Sequence, residues 1–173
     1  MRANDESIPG LELAALGPTD RQVGANLLEL RTKRGLSTTR LATALKEIGQ
    51  SIPATGITRI EKGQRRVAVG ELFALAVVLQ VSPLTLLLPW PESPDADVEV
   101  TAVGPTTARE VWDWALGLQP PKLSETDPVG DLQRFPLDSL PPWARPIVSS
   151  FSAKTTPEQW KKLAAAGYLK ESS

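Results

Sequence analysis

The chain has 173 residues, 41% of them hydrophobic, with 19 Lys and Arg against 20 Asp and Glu for a formal net charge of -1. That length accommodates one ordinary domain together with a small second one or a long extension. Cysteine and histidine are both absent, which excludes disulfides, Cys/His metal sites, thiol nucleophiles and imidazole acid–base chemistry, so no cofactor and no enzymatic activity are expected. The N-terminus places acids and Pro early instead of a basic start followed by an apolar run, and the longest apolar stretch, Leu72 to Leu79, is too short to span a bilayer. A soluble, cytoplasmic protein is the expectation, and the preference for Ala, Leu, Pro and Arg points to a GC-rich genome.

The charge is unevenly placed. Between residues 20 and 90 about ten basic side chains stand against about five acids, and the remainder of the chain is acidic. A local cationic block attracts phosphate whatever the total charge.

In chain order, an arm over residues 1–18 precedes Thr19-Asp20-Arg21-Gln22, which has the form of a capping box with Thr19 as N-cap. Val23, Leu27 and Leu30 then recur at helical spacing until Gly35 ends a first helix. Ser37 caps a second, in which Leu41, Ala44, Leu45 and Ile48 share a face, closed by Gly49. A third starts at Ser51-Ile52-Pro53, carries Ile57 and Ile60 on one side and stops at Gly63. Leu72, Leu75, Ala76 and Leu79 mark a fourth; Ser82-Pro83 opens a short fifth that Pro89 ends. Leu27, Leu41, Leu45, Ile57, Ile60, Leu72, Leu75, Leu79 and Leu87 form the expected core.

The segment 91–97, PESPDAD, reads as a linker. Beyond it, residues 98–103 alternate like a short strand, and Thr107 to Leu116 is a helix with Glu110 completing a capping box. Residues 119–142, rich in Pro, Asp and Ser, are expected to be irregular, and two further helices are predicted over 142–151 and 156–166. The pair Trp112 and Trp114 cannot share a helix face, so one is expected inside and the other open. The fold class predicted is all-α: a five-helix domain over residues 19–90, then a small, mostly helical extension over 98–173 for dimerisation or for a partner.

The run from Leu30-Arg31, through Arg34-Gly35-Leu36-Ser37, Leu41-Ala42 and Ile57-Thr58-Arg59-Ile60-Glu61-Lys62-Gly63, to Leu75-Ala76 and Val81-Ser82 resembles the Xre family, the Cro and phage-repressor type of helix-turn-helix. The resemblance implies a regulator of transcription that binds double-stranded DNA, associates with the nucleoid, and lays its third helix in the major groove. By position in the family's motif, Ala54, Thr55 and Arg59 match base-reading sites, and Arg59 could hold guanine bidentately. Thr58 would face outward with them. Thr38 matches a phosphate-contacting site in the first turn of the second helix. Arg31 and Glu61 match an ion pair between the first and third helices, a positioning role outside the DNA contacts. Lys62, Gln64, Arg65 and Arg66 sit where the chain leaves the third helix and are assigned to phosphate positioning.

Two features depart from the family pattern. About five extra residues separate the second and third helices, within 46–53, forming either a surface bulge or a place from which Lys46, Gln50 or Ser51 reaches a phosphate. Gly56 interrupts the third helix at a cost of about 1 kcal/mol relative to Ala, and would allow close approach to DNA.

The leading expectation is a repressor acting as a homodimer. The alternative is an antitoxin-like or mobile-element control protein whose tail holds a partner protein. An enzyme built on Asp113, Asp127, Asp131 or Asp138 would need convergent carboxylates, and these lie in sequence with no motif spacing.

Overall fold

The computed structural model describes residues 16–145. Most of the N-terminal arm, the predicted helix over 156–166 with its Trp160, and all but the start of the one over 142–151 lie outside the described residues. Seven helices and one two-stranded sheet are present among the described residues: α1 (Pro18–Lys33), α2 (Thr38–Glu47), α3 (Ala54–Glu61), α4 (Val69–Leu79), α5 (Pro83–Leu87), β1 (Asp97–Val100), β2 (Gly104–Thr107), α6 (Ala108–Ala115) and α7 (Pro128–Ser139). None of the described helices is long and apolar enough to cross a membrane. Two compact units divide the chain, the first running to Pro89 and taking in Glu99–Thr101, the second made of Trp90–Val98 and the residues from Ala102 onward.

In the first unit the predicted stops operate through left-handed glycines. Gly35, Gly49 and Gly63 have φ of 62°, 81° and 63°. At each, the next residue turns its N–H back into the helix just ended: Leu36 to the Arg31 carbonyl (3.1 Å), Gln50 to that of Leu45 (2.9 Å), Gln64 to that of Arg59 (2.8 Å). This is the arrangement that satisfies the orphan carbonyls of a helix end. The predicted start of α1 is corrected: Gly17, not Thr19, is the N-cap, with Pro18 at the first helical position. Its N–H donates to Asp20 Oδ2 at 3.1 Å. Thr19 instead accepts at Oγ1 from the N–H of Thr101 (3.1 Å).

Packing follows the apolar periodicity. α1 lies on α3 and α5, α2 on α3 and α4, and α4 on α5. Leu27, Leu41, Leu45, Ile57, Ile60, Leu75 and Leu79 are fully buried. In α5 the buried side chain is Leu86, not Leu87, and Leu88 is buried after it. The core also holds one polar residue without a mark in the sequence pattern, Asn26. Its Nδ2 donates to the carbonyls of Thr85, Leu86 and Leu88 at 3.1, 3.0 and 2.8 Å, and its Oδ1 accepts from Gln22 at 2.8 Å. The side chain thus serves the carbonyls at the end of α5. Gly24 is buried where α1 meets α3, and a methyl group there would overlap the carbonyl oxygen of Ile60.

The all-α expectation is corrected, since β1 pairs with a second strand, β2. Gly104-Pro105 reads as a breaker, yet Pro105 is exposed in a sheet of two strands, where an edge can lack an N–H donor. α6 keeps the predicted box: Thr107 accepts from the Glu110 N–H (3.3 Å) while Glu110 Oε2 accepts from the Thr107 N–H (3.0 Å). Its next two N–H groups, on Ala108 and Arg109, donate to the carbonyls of Ala96 (3.0 Å) and Pro94 (2.9 Å), which fixes the segment expected to be a linker. Neither Trp112 nor Trp114 is buried; both are half-buried, and Ala108 and Val111 are the buried residues of α6. The expectation of irregular chain over 119–142 fails at α7, which Asp127 caps by accepting from the Gly130 N–H (2.9 Å), with Pro128 in the first turn. Pro136 lies inside α7, which continues past it.

Candidate nucleic-acid interface

The third helix acquires two faces from the alternation of its residues. Ile57 and Ile60 are fully buried, whereas Thr55 and Arg59 are exposed and Ala54 and Thr58 half-exposed. Burying two isoleucines contributes about 3 to 6 kcal/mol, so the rotational setting of α3 is fixed and the opposite stripe must face outward. The predicted readers Ala54, Thr55, Thr58 and Arg59 therefore come together on one short helix. Thr58 is partly committed, because its hydroxyl donates to the Ala54 carbonyl at 3.0 Å.

The orientation is fixed a second time by charge. Arg31 on α1 grips Glu61 at the end of α3 with two bonds, Nε to Oε1 at 2.6 Å and Nη2 to Oε2 at 3.1 Å, and its Nη1 donates to the Leu36 carbonyl at 2.6 Å. The side chains are only 14% and 7% exposed. The hydrogen bond to Glu61, aided by that residue's charge and opposed by burial, raises the Arg31 pKa above its ordinary value. One guanidinium thus ties together α1, α3 and the turn before α2.

Between α2 and α3 the extra residues lengthen the loop, 48–53, and not α2, which ends at Glu47. It is anchored from within: Ile52 is buried in the core while Lys46 and Ser51 are exposed and Gln50 is half-buried. The role expected for Gly56 is corrected. It is buried, and a methyl there would lie 3.3 Å from Pro53 Cδ and 3.4 Å from Ile52 Cγ2. The missing side chain makes room for the incoming loop and not for a ligand. Thr38, the first residue of α2, is half-exposed behind the Ser37 cap, whose hydroxyl accepts from the Arg40 N–H at 3.1 Å.

The basic run after α3 divides. Lys62 and Gln64 are exposed. Arg65 turns toward α4, its Nη2 2.6 Å from Glu71 Oε1, and the same carboxylate accepts from the Ala68 N–H at 3.0 Å. Arg66 pairs with Asp20, Nε to Oδ2 at 3.4 Å. Asp20 and Glu71 each reach back to the N-cap N–H of their own helix, so both arginines dock on carboxylates that close helix N-termini, where negative charge is favoured. For Glu71, burial pushes the carboxyl pKa up, but the hydrogen bonds from Arg65 and from the Ala68 N–H outweigh this and hold it below its ordinary value. Sequence reasoning missed Asp20 and Glu71 as anchors. The available signal was an acid three residues after each helix's N-cap.

A helix-turn-helix family model matches residues 27–86. The crystal structure of the restriction-modification controller protein C.AhdI from Aeromonas hydrophila is 33% identical over 39% of this chain and 94% of that one, with a TM-score of 0.34. No curated protein matches the chain.

Proposed function

Since the chain belongs to the Xre family of helix-turn-helix proteins, we propose that it is a sequence-specific DNA-binding regulator of transcription, a repressor that occupies its operator as a dimer and catalyses nothing itself. The observation that carries the reading is the outward stripe of α3, Ala54, Thr55 and Arg59, held in place by two buried isoleucines and by the Arg31–Glu61 clamp. Set into a major groove, Arg59 presents the fork that matches O6 and N7 of guanine. The methyl groups of Ala54 and Thr55 offer apolar contact to thymine.

Thr38, Lys62, Gln64 and Arg66 act on the phosphates. Arg66 is exposed and can exchange Asp20 for a phosphate, whereas Arg65 holds the turn against α4. The dimer is supported by α4, whose Val69, Phe73 and Val77 are 74%, 56% and 63% exposed at a spacing of four residues. An apolar stripe of that kind is what subunit contacts cover. A single domain reads only a half-site, and a second copy one helical turn away supplies the other half.

Selection of the full-length protein against random duplexes tests the reading. It should return an inverted repeat with about 10 base pairs between half-site centres. Enrichment of no sequence would overturn it, and an asymmetric single site would overturn the dimer.

A further inference from the structure

The second unit contains a cavity of about 290 Å³ that the DNA-reading proposal does not use, lined by Trp90, Glu92, Pro94, Arg109, Trp112 and Asp113. This is at the lower edge of the volumes that hold small molecules, room for a one-ring ligand. It is open to solvent on one side, and one wall is fixed. The segment carrying Pro94 is pinned to the start of α6 by the Ala108 and Arg109 N–H bonds to the carbonyls of Ala96 and Pro94.

The lining chemistry is selective. Two indoles line it, and an indole combines a quadrupole that attracts a cation with an area that suits an apolar body. Two carboxylates, on Glu92 and Asp113, outnumber the single cation, Arg109, one turn before Asp113 on α6. We propose that this cavity binds a small organic cation with an apolar body, an aryl or alkyl ammonium, held against Trp90 and Trp112 with Asp113 as its principal counter-charge. Arg109 is then a competitor for the same carboxylate and limits the affinity. The Asp113 pKa fits this assignment: burial raises it above the ordinary carboxylate range, Arg109 pulls it down and Glu110 pushes it up, so its charge is undercompensated.

The test is titration of the full-length protein, followed by tryptophan fluorescence and calorimetry, with phenyltrimethylammonium and with its uncharged isostere tert-butylbenzene. Saturable quenching by the cation, about tenfold tighter than by the isostere, is expected. Asp113→Asn should weaken the cation about tenfold and leave the isostere unchanged, while Arg109→Gln should tighten the cation alone by about threefold. Trp112→Leu should abolish both, and far-UV circular dichroism reports whether that variant folds. The two polar variants keep the cavity walls, so the proposal does not depend on it. No saturable binding of the cation, equal binding of the isostere, or indifference to Asp113→Asn would each overturn the proposal.

Discussion

Arg59 and the arginine pair Arg65–Arg66 stand within eight residues of one another and look alike in the sequence, yet the fold uses them in opposite ways. Arg59 leaves α3 from its exposed stripe. Arg65 and Arg66 are folded back onto Glu71 and Asp20, the carboxylates that close the starts of α4 and α1. Among the described residues, the cation on the outward face of α3 makes no ion pair. A cation in the turn that follows passes two helix N-termini, each already holding an acid. Basic residues near α3 are therefore not one population: Arg65 and Arg66 meet carboxylates at helix starts, and Arg59 stands on an exposed stripe.

The strongest way to break this division is at Glu61, the positioning counterpart of Arg59 on the same helix. Glu61→Ala leaves the Arg31 guanidinium without its partner at a nearly buried site, and should cost about 3 kcal/mol of stability, read as a lowered denaturant midpoint. Arg59→Ala should leave that midpoint within about 0.5 kcal/mol of the parent. If the two variants melt alike, α3 is not divided as described.

The next effect is on binding. Arg59→Ala should lose about 1 to 3 kcal/mol on the selected operator and relax preference at one base pair, with little loss on scrambled duplex. Equal losses on both duplexes would reduce Arg59 to a backbone contact.

Smaller effects sharpen the division between the paired arginines. Arg66→Ala should weaken operator and scrambled duplex about equally and lower the salt dependence by roughly one unit of slope. Arg65→Ala should instead cost about 1 kcal/mol of stability with the slope unchanged. Identical salt slopes for the two variants would remove the distinction.

The smallest effect is confined to acid. Because Glu71 titrates below its ordinary value of 4.5 in the folded protein, the stability it contributes is complete above that value. It is lost as pH falls through the folded pKa. Glu71→Gln should therefore show a shallower fall in stability below about pH 4.5 than the parent does. An unchanged acid limb would mean that the Arg65–Glu71 contact does not persist in solution.

The first unit was largely legible because its signals are local. Ser37, Gly35, Gly49, Gly63 and the periodic leucines each act within a turn or two of their own position, and the structure places the helices α1 to α5 between them. What the sequence hid depends on distance or on competition between signals. Nothing near Arg66 reveals that Asp20, 46 positions earlier, will meet it. Nothing near Asn26 announces three carbonyls some 60 residues later. In the second unit Pro136 and Gly104-Pro105 are breakers by propensity, and both are tolerated, in α7 and in an edge strand respectively. The outward stripe of α3 could be read in advance from Ile57 and Ile60, but the inward use of Gly56 required knowing where Ile52 and Pro53 sit.

Gly24 sets a rule for how this sequence can drift. Judged by α1 alone, alanine at that position is an improvement of about 1 kcal/mol, and any search for stabilising substitutions that scores helices one at a time would select it. In the folded chain the added methyl meets the carbonyl of Ile60 and must prise α1 from α3. The spacing between the two helices is thus gauged by atoms that are not there. A side chain at position 24 would displace α3, and the outward stripe with it, before any residue of that stripe changed, so the setting of that face can be lost through a residue on a different helix.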